Sequence, residues 1–499
     1  MTAGRPAQGL GSQVAKGAIW TVSFRMADRL LGLVSTLVLV RVLSPSDFGV
    51  VAMAMTLFAM IEVVTVGEFG SAIIHEPNPT RDHYDTAWTL SAVFGLSATA
   101  LLLAGSLPAA AYFNEPRLVP VICALSVMPL LSGLYNMGCV DFRKHLDFRK
   151  DFLLQVGTKL SGLLVVLPLA FVFRSYWALV GGMIAGRVGG LALSFALHPF
   201  RPRVSMRSAG RLFSFSSWLM LNNALHFIRL RGAHLIIGRV LGSQGLGIYT
   251  IAHEMSNLPT SELANPINRA VFPGYAKLQH DRSALQQGFL RVVGLIALVA
   301  VPAGIGMAAV AHLFVPAVLG PQWLETVPLI SVLAVGGTIY VLAANNQSLY
   351  FAVGRPRFRA MLTLAEIALF LPLVAVLIRP YGLLGAAVAF TITAALVVPV
   401  NFVLAARLLQ MRLRSFLAVL WRPAIASALM AATILATFPR SAERIGSWAN
   451  VQALATAITF GALVYALLIY IAWRATGRPD GAERWLLDRC LALWRRVRK

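Results

Sequence analysis

Charge is scarce in this sequence. Charged residues make up 13% of the 499, and only 20 are acidic, against 43 lysines and arginines. A soluble domain carries about a quarter charged residues, so the deficit argues against a water-soluble chain. Cysteine is nearly absent, and Cys123, Cys139 and Cys490 have no disulfide or metal-ligand spacing. Asp47 is the only aspartate in the connections assigned below to the outside, all of them short. That leaves no aspartate-rich nucleotide-sugar site, and there is no nucleophile–base cluster. A membrane-embedded polymerase or glycosyltransferase is therefore a remote alternative. A cleavable signal peptide is not expected either: residues 1–16 are polar, and the apolar run after them is too long for an h-region.

What the chain has is apolar length. Hydrophobic residues reach 58% and the mean hydropathy is +0.73. Apolar runs fall near 17–40, 48–70, 86–112, 118–139, 152–173, 176–198, 212–237, 247–272, 289–317, 327–352, 360–379, 383–406, 418–438 and 449–473. At about 20 residues per crossing, these predict an all-α polytopic membrane protein of about 14 transmembrane helices. Continuous apolar runs exclude outer-membrane strands.

The formal charge of +23 is a topology signal, not a nucleic-acid surface. Even-numbered connections are basic: Arg143, Lys144, Arg149 and Lys150; Arg201, Arg203, Arg207 and Arg211; Lys277, Arg282 and Arg291; Arg355, Arg357 and Arg359; Arg407, Arg412 and Arg414. Odd ones are nearly bare, with Arg117, Arg174, Arg379, Arg440 and Arg444. The positive-inside rule places both termini in the cytoplasm. In the tail, Trp485, Leu486, Leu491, Leu493 and Trp494 alternate with arginines. That pattern suits an interfacial amphipathic helix or a solvated basic tail.

The two halves resemble each other. WTVSFRMADRLLGLVSTLVLVRVLSPSDFGV from Trp20 aligns without a gap on WLMLNNALHFIRLRGAHLIIGRVLGSQGLGI from Trp218. Trp20 falls on Trp218, Arg41-Val42-Leu43 on Arg239-Val240-Leu241, and Gly49 on Gly247. Six spans separate the copies, so the repeat is parallel, with an axis along the membrane normal. The expected organisation is an N-terminal segment 1–16, six-helix bundles 17–198 and 212–406 joined by a basic linker 199–211, two extra helices 407–475, and a basic tail 476–499.

RVLSPSDFGVVAMA, its echo RVLGSQGLGIYTIA, and GEFGSAIIHE at 67–76 resemble the multidrug/oligosaccharidyl-lipid/polysaccharide exporter superfamily. Within it the chain is most similar to Wzx-type polysaccharide flippases of the exopolysaccharide and colanic-acid-like branch. The resemblance covers about residues 15–475. It implies paired six-helix bundles with alternating access, carrying an undecaprenyl-pyrophosphate-linked oligosaccharide outward. A lipid II flippase or a multidrug exporter of the same superfamily is the alternative.

Ionisable residues inside spans are costly and face water or each other. Arg25, Asp28 and Arg29 share one face of span one; Asn222, His226 and Arg229 form the matching stripe in span seven, with Arg231 beside it. Lys159, Arg187 and Arg269 extend the set. Arginine forks suit phosphate oxygens, so these residues are the expected site for a pyrophosphate or acidic sugars. The bland alternative is that Asp28 neutralises Arg25 or Arg29. Asp28, Glu62, Glu254 and Glu366 are the candidates for ion pairing or coupling, with an H+ or Na+ gradient left open and no other cofactor expected. Membrane lipids are expected partners; the polymerase and chain-length machinery are left open, and nucleic acid is not expected.

Overall fold

The computed structural model describes residues 26–65, 69–145, 147–278, 280–438, 448–479 and 481–484. Arg25 and Cys490 lie outside the described residues, as does the tail beyond 484. The side chains of Asn222, His226 and Arg269 lie outside them too. Every regular element described is helical: α1 (26–42), α2 (Pro45–Thr65), α3 (Phe69–His75), α4 (Arg81–Phe113), α5 (Leu118–Leu125), α6 (Val127–Gly133), α7 (Val140–Lys144), α8 (Phe148–Phe173), α9 (Trp177–Leu197), α10 (Ala209–Leu278), α11 (Arg282–Phe314), α12 (Thr326–Ala352), α13 (Pro356–Leu409), α14 (Arg414–Thr437) and α15 (Trp448–Ala475).

Among the described residues, ten helices are long and apolar enough to cross a membrane, or eleven when the bent pair Leu118–Gly133 and Met137–Lys144 is taken as one span. The difference from the expected fourteen is instructive. α13 has 54 residues, about 81 Å at 1.5 Å per residue, against a hydrocarbon core of about 30 Å. It is broken at Gly382, where φ is 55°, a left-handed value that glycine adopts without a Cβ penalty. Gly385 then packs on the Leu377 carbonyl oxygen. In a straight helix those residues would be about 12 Å apart, so the chain doubles back. α10, with 70 residues, is broken at Gly242. Both long helices are therefore two predicted spans each. The first predicted span is described only from residue 26 onward.

The chain divides into two compact units, Met1–Gly247 and Ile248–Lys499. The repeat assigned residues 212–247 to the second bundle, yet they cluster with the first unit. The reason is local packing: Gly238 sits against Phe113 and Met53, and Gly247 against the Pro45 carbonyl.

In the first unit, α8 and α9 approach closely through small residues. A Cβ on Gly162 would stand 2.9 Å from the Gly182 carbonyl oxygen, and such small-residue seams are how helices pack in lipid. The bend in span four, 63°, is pinned by Asn136, which is fully buried. Its Nδ2 donates to the carbonyls of Ser194 (3.3 Å), His198 (3.2 Å) and Phe200 (3.1 Å), while its Oδ1 accepts from the Gly138 N–H at 3.0 Å. The linker is fastened as well. Backbone N–H groups of Arg203, Ser205 and Ser208 donate to Asp85 (2.8 Å), Thr89 (3.0 Å) and Thr86 (3.3 Å) on α4. Its Arg201, Arg203 and Arg207 side chains stay exposed, as topology determinants do.

The second unit is built on a core of Tyr275, Phe289, Leu349, Phe402, Leu409 and Phe416 from α10 to α14. A second cluster, with Val310, Met430, Ile434 and Leu454, joins α11, α14 and α15.

Candidate functional site

The first unit carries cations at one depth. Arg29 on α1, Lys159 on α8, Arg187 on α9, and Arg229 and Arg231 on α10 each lie about 10–14 residues from the arginine-poor end of their helix or from the Gly242 break. At 1.5 Å per residue that is about 15–21 Å, inside a hydrocarbon core of about 30 Å. Arg29 and Arg187 are exposed, and Arg229 and Arg231 half-buried. A charge at this depth does not face lipid tails, so the surface they expose is a wet one. Two carboxylates accompany them. Asp28 pairs with Lys159, whose ammonium also donates to the Asp28 carbonyl at 3.0 Å. Glu62, half-buried on α2, feels the charge of Arg187.

Asp28 takes an ion-pair partner from α8. A partner 131 residues away was not readable from helical spacing. Lys159, marginal in the sequence, thereby becomes central. Guanidinium forks with an ammonium are the chemistry that holds phosphate oxygens.

The arginine-poor end of the same unit is closed by a polar knot. Arg117 grips Glu115 at 2.8 and 2.7 Å and donates to the hydroxyls of Ser46 (2.9 Å) and Ser243 (3.1 Å). Those two hydroxyls also meet each other at 3.1 Å. The Asp47 carboxylate accepts from the Tyr176 N–H at 3.0 Å, and Arg239 donates to the Tyr112 carbonyl. Arg117 holds the Glu115 carboxyl below the usual carboxylate range by hydrogen bonding, so the pair stays charged at neutral pH.

Beneath the knot the backbones touch in a reciprocal pattern. Gly49 packs on the Ser243 carbonyl and Gly247 on the Pro45 carbonyl. A shift of 198 residues carries Pro45 onto Ser243 and Gly49 onto Gly247, so the two contacts exchange. That is the signature of a two-fold relation between copies. Only glycine fits at either position, because an added Cβ would land on a carbonyl oxygen.

In the second unit, Glu366 is buried and pairs with Arg359 at 3.6 Å on the same helix, the structural alternative to coupling. Glu254 is exposed on α10. A groove of about 680 Å³ runs between α11, α14 and α15, walled by apolar residues such as Leu298, Pro302, Val310, Ile434 and Ala466. Its single charged lining residue, Glu483, is buried against Arg422 at 3.0 Å. No cluster of three or more metal-ligating side chains occurs among the described residues.

This architecture is that of a polytopic membrane protein. The fold matches a lipid II flippase, MurJ in an inward closed conformation, with a TM-score of 0.74 over 92% of this chain and 100% of that one at 14% identity. It also matches an inward-facing multidrug resistance MATE family transporter of the MOP superfamily, with a TM-score of 0.59 over 76% and 94% at 15% identity. The profile of the family described as polysaccharide biosynthesis protein matches residues 38–328, more than half of the chain, and the chain belongs to that family. Among its relatives are the teichuronic acid biosynthesis protein TuaB of Bacillus subtilis, 25% identical over 93% of this chain and 96% of that one, and the lipopolysaccharide biosynthesis protein WzxC of Escherichia coli, 24% identical over 83% and 85%. The succinoglycan biosynthesis transport protein ExoT of Rhizobium meliloti is 23% identical over 64% and 65%. With its long apolar helices the chain is a multi-pass membrane protein of that family.

Proposed function

We propose that this protein flips undecaprenyl-pyrophosphate-linked oligosaccharide repeat units from the cytoplasmic to the outer leaflet of the bacterial inner membrane. The arginine-rich end then faces the cytoplasm, with both termini, and the knot closes the outer end. The observation that carries the reading is the cation layer of Arg29, Lys159, Arg187, Arg229 and Arg231 at mid-membrane depth. A multidrug exporter of cationic compounds would need the opposite charge there. The pyrophosphate is held by the layer, the sugars follow it through the wet face, and the polyprenyl chain stays in lipid. Coupling to an H+ or Na+ gradient through Glu62 or Glu254 belongs to this proposal, as does delivery of repeat units to a polymerase and its chain-length partners.

Deleting the gene tests the reading. Lipid-linked repeat units are expected to accumulate on the cytoplasmic leaflet while surface polymer disappears. Normal polymer combined with a defect in peptidoglycan precursor export would favour a lipid II flippase instead.

A further inference from the structure

Some basic side chains at the arginine-rich end have carboxylate partners, Arg81 with Asp85, Arg143 with Asp151, Lys150 with Asp147, Arg207 with Asp82 and Arg359 with Glu366, and Arg282 bonds to a backbone carbonyl instead. Three without such a partner gather at the turn between α13 and α14. There Arg407, Arg412 and Arg414 border a shallow hollow of about 760 Å³ that Val403, Met411 and Leu413 help to line. All three arginines are exposed, and among the described residues none has a carboxylate partner.

The turn that carries them is rigid. Gln410 caps α13 in a left-handed conformation, φ 50°, and the Met411 N–H returns to the Ala406 carbonyl at 2.9 Å. Arg282 Nε and Gln286 Nε2 on α11 both donate to the Leu409 carbonyl, at 3.2 and 2.7 Å. Leu409 and Phe416 are buried in the core below. The guanidiniums therefore spring from fixed roots. Beside them Leu413 is 46% exposed and Leu417 64% exposed, an apolar rim next to a cationic floor. Cations beside exposed leucines at a span end mark the headgroup level of a bilayer.

We propose that this hollow binds the headgroup of an anionic phospholipid of the cytoplasmic leaflet. Its phosphodiester lies among Arg407, Arg412 and Arg414, and its acyl chains run along Leu413 and Leu417. A topology signal alone explains the sign of these charges but not their gathering around a hollow without carboxylates. The bound lipid sits where the repeated bundle meets the two additional helices. The proposal rests on the orientation proposed above, but not on the identity of the transported lipid.

The test uses the purified full-length protein in zwitterionic detergent. Thermal denaturation and native mass spectrometry follow its response to phosphatidylglycerol, to phosphatidylcholine and to inorganic phosphate. Phosphatidylglycerol is expected to bind and to raise the melting temperature; the other two are not. The triple variant R407Q/R412Q/R414Q is expected to lose about a hundredfold in phosphatidylglycerol affinity, at about fivefold per cation near an anionic headgroup. The triple lysine variant, which keeps the charge, is expected to retain most of it. Equal stabilisation by phosphatidylcholine, or a glutamine variant within about threefold of the parent, overturns the proposal. Stabilisation by inorganic phosphate alone makes this a free-anion site and also overturns it. So does preferential retention of an undecaprenyl pyrophosphate, which would make the hollow an entry point for the transported lipid. Surface polymer is scored in parallel, so that loss of lipid binding and loss of transport are read separately.

Discussion

Replacing Gly49 by alanine places a methyl group on the Ser243 carbonyl oxygen, and replacing Gly247 places one on the Pro45 carbonyl. The obstacles are backbone atoms, so no rotamer change relieves the clash and the helix ends must part. Forcing a methyl into a packed contact costs about 1–3 kcal/mol. If that cost falls on the closed arrangement alone, each substitution shifts the balance away from closure by about 5- to 150-fold. The two positions share one contact, so the double variant need not show the sum of the two. Closure is read by crosslinking. The Ser46 and Ser243 hydroxyls lie 3.1 Å apart, close enough for cysteines there to form a disulfide with minor adjustment. The S46C/S243C protein is expected to crosslink readily under oxidation, to stop exporting polymer, and to resume on reduction. Adding Gly49→Ala should cut the crosslinking yield severalfold or more. Gly210→Ala serves as the control, because nothing lies within 4 Å of an added Cβ there. A Gly49→Ala/Gly247→Ala protein that crosslinks and exports like its parent would refute the reasoning.

Four further outcomes follow from the same geometry. Arg187→Gln and Lys159→Met are each expected to lower polymer export at least tenfold with unchanged membrane insertion, measured by complementation and immunoblotting. Asn136→Ala leaves the buried Gly138 N–H without its acceptor and removes one donor from the carbonyls of Ser194, His198 and Phe200, the last two of which keep Arg201. At about 1–3 kcal/mol for a stranded group, a loss of about 1–3 kcal/mol is expected, visible as a lower melting temperature in detergent. The Glu115 carboxyl is held below its ordinary range by Arg117. A depressed acid stabilises above its unfolded value and loses that contribution as pH falls through its folded one. The stability owed to the Glu115–Arg117 pair should therefore hold from pH 8 to pH 5 and fall only in stronger acid, read as the melting temperature in detergent of the parent against Glu115→Gln. His198, pushed down chiefly by burial, also favours the folded state when neutral. The link between the end of α9 and the linker should loosen as pH drops below the ordinary histidine range, seen as faster proteolysis at Arg201 and Arg203.

Much of the fold was written in the residues. Apolar runs marked the spans because lipid leaves a backbone few alternatives to helix. What could not be read was which distant groups meet. Asp28 meets Lys159 and Arg117 bridges Ser46 with Ser243, and no local periodicity encodes partners more than seventy residues apart. The reciprocal contact was half legible: alignment paired Gly49 with Gly247, but only the folded chain shows each lying on the other copy's neighbour. Breaks at Gly242 and Gly382 were legible as short gaps between apolar runs, but not as bends within continuous helices. Stripe residues were chosen for shared faces, and those described do share a depth. The pairing that decides their charge balance came from α8 and α9.

The most direct measurement of the central claim is flipping in reconstituted vesicles. The purified protein is placed in liposomes carrying a fluorescent undecaprenyl-pyrophosphate-linked oligosaccharide in one leaflet, and its exposure to a membrane-impermeant quencher or glycosidase is followed. Transfer is expected with the parent protein. It is expected to fall to the protein-free rate with Arg187→Gln or with the oxidised S46C/S243C protein, and to return on reduction of the latter. Transfer that proceeds unchanged in both variants, or no faster with the parent protein than without protein, would contradict the account.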